Sequence, residues 1–176
     1  MYGPLRHAAT AELGGAEPLR HPGDLVIELR SRLAASADAV WAHARSMDGV
    51  NAELAPWMRM SVPRAARGKS IDEAPLGEEA FASVLLALGV VPFDLHHLTI
   101  ASRGERSFVE ESWSWMQRRW RHERFVVPIE GGCELVDRLT IAPRLPVSMI
   151  VTPIVRALFR SRHRVLARRF GAHAAR

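Results

Sequence analysis

The chain has 176 residues, enough for one domain, and its 48% hydrophobic and 24% charged residues are typical of a folded globular protein and exclude a disordered one. Its single cysteine, Cys133, excludes an internal disulfide framework and a cysteine-based metal cluster. The net charge of +5 is unevenly distributed, because nine arginines and no acidic residue follow Asp137, a pattern that fits either an anionic partner or a solvated basic helix face.

The amino-terminal part of the sequence predicts an extension followed by short elements. Proline and glycine recur through residues 1–23, so we expect an extension there and a single domain over residues 24–173. Neither a signal-like segment nor an apolar run of about 20 residues is visible, and we therefore expect a cytoplasmic protein. Apolar–polar alternation and a capping serine, Ser36, then predict a strand, two short helices, a strand and a polar loop, over 25–33, 37–45, 48–54, 57–62 and 64–75.

The middle of the sequence predicts an antiparallel meander. Residues 79–88 suit a strand or a helix, because a short apolar run has no decisive period. Extended segments joined by connections of hairpin length follow, over 95–102, 107–116, 119–127 and 133–142. Parallel strands would need much longer crossovers, so these strands are expected to be antiparallel.

A long amphipathic helix is predicted at the end of the sequence, from Thr152 as N-cap and Pro153 as first helical residue to Gly171 as C-cap. Its polar face carries a row of arginines spaced by four: Arg156, Arg160, Arg164 and Arg168. Two further arginines, Arg162 and Arg169, fall within the apolar arc. An unpaired buried guanidinium is costly, so Arg162 is expected to meet a carboxylate, reach the cavity mouth or bind an anionic head group.

This order of elements resembles that of a known superfamily. The residues that carry the resemblance are Ala37–Trp41 after the first strand, the strand segment Trp120–Arg124, the segment Gly131–Thr140 and the terminal helix from Leu158 to Gly171. Together they resemble the helix-grip or SRPBCC superfamily, which includes START lipid-transfer domains, polyketide cyclases and coenzyme-Q-binding proteins. The resemblance implies an α+β fold in which a curved antiparallel sheet wraps around a long C-terminal helix, with two short helices after the first strand.

The resemblance also implies a cavity between sheet and helix that binds a hydrophobic or amphipathic small molecule, such as a lipid, a quinone or a polyketide-like compound. The side chains expected to line it are Met58, Met60, Leu86, Leu88, Phe93, Glu110, Ser112, Trp120, Asp137, Met149, Leu158, Phe159 and Arg162. An alternative is a cyclase or dehydratase in which His97 or His122 is the general base and Arg124 holds an enolate. A third interpretation is an adaptor that docks on an anionic membrane through the arginine row.

Cross-strand geometry predicts polar rows on the apolar face of the meander. Hairpin turns near Gly104, Gln117–Arg118 and Glu130–Gly131 put His97, Ser112 and His122 in one row and Thr99, Glu110, Arg124 and Asp137 in the next. A contacting cluster of Glu110, Arg124 and Asp137 is therefore expected. The row suits a pocket that converges on a small molecule, and it equally suits a solvent-facing ladder of charges.

Other chemistries have little support in the sequence. The adjacent His96 and His97 would point to opposite faces of a strand, and no spaced histidine motif is present, so we expect no metal and no cofactor. Trp113, Trp115 and Trp120 suit the wall of a cavity better than base stacking, so nucleic-acid binding is not expected. No pattern in the sequence indicates an oligomeric state.

Overall fold

The computed structural model describes residues 23–144 and 148–173. The predicted extension over residues 1–23 lies outside this range except for Gly23, so the domain boundary stays a prediction. The elements are β1 (Leu25–Leu33), α1 (Ala37–Ala44), α2 (Met47–Leu54), β2 (Met58–Met60), β3 (Glu79–Ala87), β4 (Val91–Gly104), β5 (Ser107–Ser114), β6 (Gln117–Ile129), β7 (Gly132–Pro143) and α3 (Ser148–Phe170).

The strands form one curved sheet of seven in the order β1-β7-β6-β5-β4-β3-β2, and every neighbouring pair is antiparallel. The predicted meander is confirmed, and residues 79–87, left open between helix and strand, are a strand. Strand β1, the first in sequence, pairs with β7, the last, and forms one edge of the sheet. The polar loop before β3 contains two short 3-10 turns.

The two short helices are held by side-chain caps and by a side chain that reaches the sheet. Ser36 and Ser46 accept hydrogen bonds from backbone N–H groups in the first turns of α1 and α2. In α2 the amide of Asn51 both donates to the carbonyl of Met60 and accepts from its N–H, at 3.0 and 2.7 Å. This pair of hydrogen bonds fixes α2 against β2 and so determines the direction in which the buried face of α2 points.

Helix α3 is longer than predicted. It begins at Ser148 rather than at Thr152, and Pro153 lies inside it. Proline removes one backbone donor from a helix but does not forbid a preceding turn. Val151 packs against the core formed by Ile27 and Ile141, and this contact holds that preceding turn in place.

The core lies on the concave face of the sheet. One cluster joins α1 and the end of α3 to the sheet through Trp41, Phe108, Leu135 and Leu166, all of which are buried. A second cluster packs Phe159 of α3 on the neighbouring strands β1 and β7. Helix α3 is therefore anchored on β1 and α2, which leaves the β3–β5 side of the sheet uncovered by it. No helix within the described ranges is long and apolar enough to cross a membrane.

Candidate functional site

A cavity of about 550 Å³ lies between α3 and the β3–β6 side of the sheet. Its walls come from α2, the loop before β3, the inner face of the sheet and the first half of α3. Of the predicted lining residues, the structure places eight on these walls: Met58, Met60, Phe93, Glu110, Trp120, Leu158, Phe159 and Arg162. Apolar walls with polar groups gathered in one region are typical of small-molecule sites.

The other five predicted residues do not line the cavity. Leu85 takes the place of Leu86, since consecutive strand residues face opposite sides. Leu88 lies in the β3–β4 turn with a positive φ of 51° and is 64% exposed. Met149 is 90% exposed in the first turn of α3.

Ser112 and Asp137 are on the inner face of the sheet but are covered by other groups. Ser112 is buried and accepts a hydrogen bond from the backbone N–H of Thr99. Asp137 has no solvent exposure and lies behind the cavity wall. Both therefore support the wall without being part of its surface.

His97 does not face the cavity, contrary to the prediction. An irregularity in the β4–β5 pairing between Ile100 and Ser102 shifts the register, so that His96 rather than His97 points inward. His97 instead stacks on Trp113, with ring centroids 3.8 Å apart, and its Nδ1 lies 3.0 Å from a carboxylate oxygen of Glu79. As a general base acting inside the cavity, His97 is excluded by this geometry.

His96, Glu110 and His122 form a polar group on the cavity wall. His96 Nε2 lies 2.7 Å from Glu110 Oε1, and His122 Nδ1 lies 3.7 Å from Glu110 Oε2. The rings of Phe108 and Phe159 meet His122 edge to face and fix its plane. Burial by itself would raise the pKa of Glu110, but the adjacent imidazoles of His122 and His96 hold that pKa well below its usual value, so Glu110 is a carboxylate.

Behind this wall lies a buried cluster of charges centred on Arg124, which has no solvent exposure. Arg124 binds Asp137 through Nε and Nη2 at 2.7 and 2.8 Å, as the cross-strand pairing predicted. Its Nη1 binds both carboxylate oxygens of Glu53 at 3.0 and 2.9 Å. Glu110 is not a partner of Arg124, because the β5–β6 turn lies about two residues earlier than expected and pairs Glu110 with His122.

Glu53 is the residue that the sequence prediction missed. It lies on α2, fully buried, and joins Arg124 to Arg162, whose Nε and Nη2 lie 3.0 and 2.8 Å from Glu53 Oε2. Of the three outcomes expected for Arg162, the structure shows the contact with a carboxylate. Arg169 is exposed and lies over the ring of Phe170. Its burial could not be inferred from the sequence, because a charged residue on a short helix is expected to face solvent, whereas Glu53 shares the buried face of α2 with Gly49 and Leu54.

The buried cluster continues to the far side of α3. His122 Nε2 lies 2.8 Å from Asp137 Oδ1, and His163 Nε2 lies 3.0 Å from Asp137 Oδ2. His163 Nδ1 in turn lies 2.8 Å from the hydroxyl of Ser31. The charged groups are therefore bound to one another, and among the described residues no group of His, Cys, Asp and Glu could hold a metal ion.

The arrangement keeps the inner charges fixed. Burial would raise the pKa values of Glu53 and Asp137, but the adjacent Arg124 holds both below their usual range, helped by Arg162 at Glu53. Burial would likewise lower the pKa of Arg124, and its two carboxylate partners raise it. Because Arg124 does not reach the cavity surface, it cannot hold an enolate there. Of the charge cluster and the polar group in front of it, the side chains on the cavity wall are His96, Glu110, His122 and Arg162.

Solved structures share this fold at low sequence identity. Protein CV1439 from Chromobacterium violaceum superposes with a TM-score of 0.65 at 13% identity, covering 84% of this chain and 99% of that one. A START superfamily protein from Mycobacterium smegmatis gives 0.55 at 13% identity, covering 83% and 94%. The ZhuI aromatase/cyclase from Streptomyces sp. R1128 gives 0.53 at 12% identity, covering 82% and 95%. The fold is thus the helix-grip fold of the SRPBCC type, as the sequence resemblance predicted.

Sequence comparison gives a family without an activity. Residues 31–170 match the family model described as Domain of unknown function (DUF8410). No curated protein matches the chain. The matched range runs from β1 to the last residue of α3 and so includes the cavity and the buried cluster behind it.

Proposed function

Because the chain belongs to the DUF8410 family and has the helix-grip fold, we propose that it binds a hydrophobic or amphipathic small molecule in the cavity between sheet and helix. The observation that carries this proposal is the cavity of about 550 Å³, whose walls are largely apolar. His96, Glu110 and His122, with Arg162 beside them, form a buried polar group on the wall, and Arg45, Lys69 and Glu73 add polar side chains on another side. A volume of this size suits a drug-sized organic molecule.

The polar group limits the chemistry of the ligand. Arg162 is already bound to Glu53, and Glu110 is a carboxylate, so no free positive charge faces the cavity from these two residues. A charged acid group would therefore meet repulsion from Glu110. A hydroxyl or carbonyl group can instead exchange hydrogen bonds with the imidazoles and with Glu110. At this group we therefore expect the uncharged hydroxyl or ketone end of an apolar molecule, a class that includes sterol-like lipids, quinones and aromatic polyketides. Lys69 lies on another part of the cavity wall.

A fluorescence titration tests the cavity directly. The probe is N-phenyl-1-naphthylamine, an uncharged aromatic amine that becomes fluorescent in apolar surroundings. Leu158→Trp replaces an aliphatic side chain on the cavity wall by a larger indole. It should weaken probe binding by about tenfold or more, because the indole occupies the space that the probe needs. Met149→Trp adds the same side chain to the same helix at an exposed position outside the cavity and is the matched control.

If probe affinity is equal in the wild type, Leu158→Trp and Met149→Trp, the cavity is not the binding site and the proposal fails. Displacement of the probe by long-chain alcohols and quinones, but not by fatty acids of equal length, would support the uncharged ligand class. Stronger displacement by the fatty acids would contradict it.

A second candidate function is acid–base catalysis on the bound molecule, favoured by the contact between His96 and Glu110 at the cavity wall. A histidine oriented by a carboxylate can move a proton to or from a ketone-bearing substrate. The test is turnover of a poly-β-ketone thioester mimic. If the protein is an enzyme, Glu110→Gln should lower the turnover rate by about 10²-fold or more and leave the affinity for the probe unchanged. If the wild type does not turn over the mimic, the catalytic candidate fails and ligand binding remains the proposed function.

A further inference from the structure

Large apolar side chains are exposed together at one end of the molecule. They belong to the residue before β2, the β3–β4 turn and the start of β4, the β5–β6 turn, and the first two turns of α3. Their exposed fractions lie between 45% and 90%: Trp57, Leu88, Val90, Val91, Phe93, Trp115, Met116, Met149, Ile150 and Ile154. A soluble surface seldom leaves so many large apolar groups uncovered in one region without a partner.

The strand pairing shows that these segments adjoin one another. The β3–β4 and β5–β6 turns lie at the same end of the sheet, where His96 pairs with Ser114. The backbone N–H of Leu88 donates to the carbonyl of Trp57 at 2.8 Å, and that of Arg144 donates to Met116 at 3.0 Å. Helix α3 starts shortly after Arg144, so its first turns emerge at this end too. We call this set of residues the apolar end.

One opening of the cavity lies within the apolar end, and a second side, lined by exposed residues such as Lys69 and Pro75, lies at the loop before β3. Phe93, Met116 and Ile154 line the cavity and are also 45%, 46% and 61% exposed. A side chain that is on the cavity wall and in contact with solvent marks an opening, and these three mark the mouth at the apolar end. A molecule that leaves the cavity here therefore passes between apolar side chains.

The charge around the apolar end is positive. Exposed arginines surround it on β2, at the start of β6, after β7 and on α3: Arg59, Arg118, Arg144 and Arg156. The acidic side chains described at this end, Asp24 and Asp94, are buried. Asp94 accepts the N–H groups of Leu95 and Met116, and the side chain of Asp24 is only 6% exposed beside Arg119.

We propose that the apolar end is a docking surface for an anionic phospholipid bilayer. Exposed tryptophans beside arginines are the combination that anchors proteins at a membrane interface, with the ring among the head groups and the cation on lipid phosphates. The apolar turns would enter the outer part of the acyl region, and the cavity mouth would then face lipid rather than water. This surface goes beyond ligand binding and does not depend on it.

The bilayer fits this surface better than a second copy of the chain does. An isologous dimer through the apolar end would bring two arginine rims of the same sign together, which opposes association. The surface also differs from the arginine row on α3, of which it includes only Arg156. Residues 164 and 168 lie roughly 20 Å or more along the helix from Ile150, too far to act with the apolar end.

Vesicle flotation of the full-length protein tests the proposal, with phosphatidylcholine vesicles that either contain or lack phosphatidylserine. Wild type should float with the phosphatidylserine vesicles, and fluorescence of the exposed Trp57 and Trp115 should shift to shorter wavelength. Ile150→Asp should weaken binding by about tenfold or more, because it removes an inserted apolar side chain and adds a negative charge. Leu76→Asp, at an apolar residue 49% exposed away from this end, is the matched control.

The charged rim has its own pair of variants. Arg59→Ala with Arg118→Ala should lower affinity for anionic vesicles by about fivefold for each arginine, whereas Arg164→Ala with Arg168→Ala should change it little. The proposal is overturned if wild type does not bind, if Ile150→Asp binds as wild type does, or if the two arginine pairs have equal effects. A wild-type dimer that Ile150→Asp dissociates, without vesicle binding, would also overturn it. Vesicle binding without any probe binding would sink the proposed cavity function alone.

Discussion

Arg124 is a full positive charge that water does not reach, and its stability in the core depends on two carboxylates from different parts of the chain. Asp137 comes from the neighbouring strand and Glu53 from α2, so the guanidinium holds β6, β7 and α2 together. Arg162 adds α3 to the same cluster through Glu53. At the scale of single residues, this cluster is what connects the cavity wall to the helices around it.

Removing Arg124 should therefore be severe. Arg124→Met leaves two carboxylates buried close together, and we expect the free energy of unfolding to fall by about 3–5 kcal/mol. Arg138→Ala, on the same sheet but in a more exposed pair with Glu28, should cost under about 1 kcal/mol. Urea denaturation of both variants makes the comparison.

A rescue experiment separates lost charge pairing from lost packing. Combining Arg124→Met with Asp137→Asn removes one stranded charge and leaves Glu53 paired with Arg162, so part of the lost stability should return. If Arg124→Met lowers the free energy of unfolding by less than the Arg138→Ala control does, the cluster does not stabilise the fold.

The carboxylates of the cluster also predict the effect of pH. Glu53, Glu110 and Asp137 have folded-state pKa values below their ordinary values of 4.5, 4.5 and 3.8. Their stabilising contribution is therefore complete above those ordinary values and is lost as the pH falls through the lower folded-state values. The free energy of unfolding should decrease steeply below about pH 4.5, and Glu110→Gln should make that decrease shallower. Equal slopes for wild type and Glu110→Gln in urea titrations would refute this assignment.

The sequence predicted some of these residues and not others, for a local reason. The pairing of Arg124 with Asp137 follows from one short turn at Glu130–Gly131, which leaves a single register for β6 and β7. The pairing of Arg124 with Glu53 spans 71 residues and depends on how α2 lies on the sheet, which no spacing in the sequence encodes.

At the scale of elements, an irregularity in one strand decides which histidine serves the cavity. The β4–β5 turn at Glu105–Arg106 alone would keep His97 on the inner face. The register shift between Ile100 and Ser102 reverses the faces beyond it and turns His96 inward. Such a bulge depends on packing of both strands, so alternation in the sequence could not reveal it. The start of α3 was missed similarly, because Val151 packs on the core and extends the helix before Pro153.

The junction of α1 and α2 depends on a glycine. A Cβ at Gly49 would lie 2.0 Å from the backbone carbonyl oxygen of His43, which cannot move without disturbing the end of α1. Gly49→Ala should therefore lower the free energy of unfolding by about 1–3 kcal/mol, and it should displace the helix that carries Glu53. The control is Ala52→Ser at an exposed position of the same helix, which should change stability by less than about 0.7 kcal/mol. A lower melting temperature for Ala52→Ser than for Gly49→Ala would contradict the close approach of Gly49 to His43.

At the scale of the whole molecule, the order of elements was sufficient to predict the fold. Hairpin-length turns impose antiparallel neighbours, and a long amphipathic helix after the last strand must bury its apolar stripe on the sheet. What the order of elements cannot supply is the space left between them. Helix α3 rests on β1 and α2, and the uncovered β3–β5 side of the sheet becomes the cavity.

The central claim, that this cavity holds an apolar ligand, is tested most directly by native mass spectrometry of protein purified gently from cells. Wild type and Met149→Trp should carry an additional mass of an uncharged organic molecule, which denaturation releases and organic solvent extracts. Leu158→Trp, with its cavity filled, should appear at the mass of the chain alone. The same mass of bare chain for all three proteins, or an additional molecule equally retained by Leu158→Trp, would contradict the account.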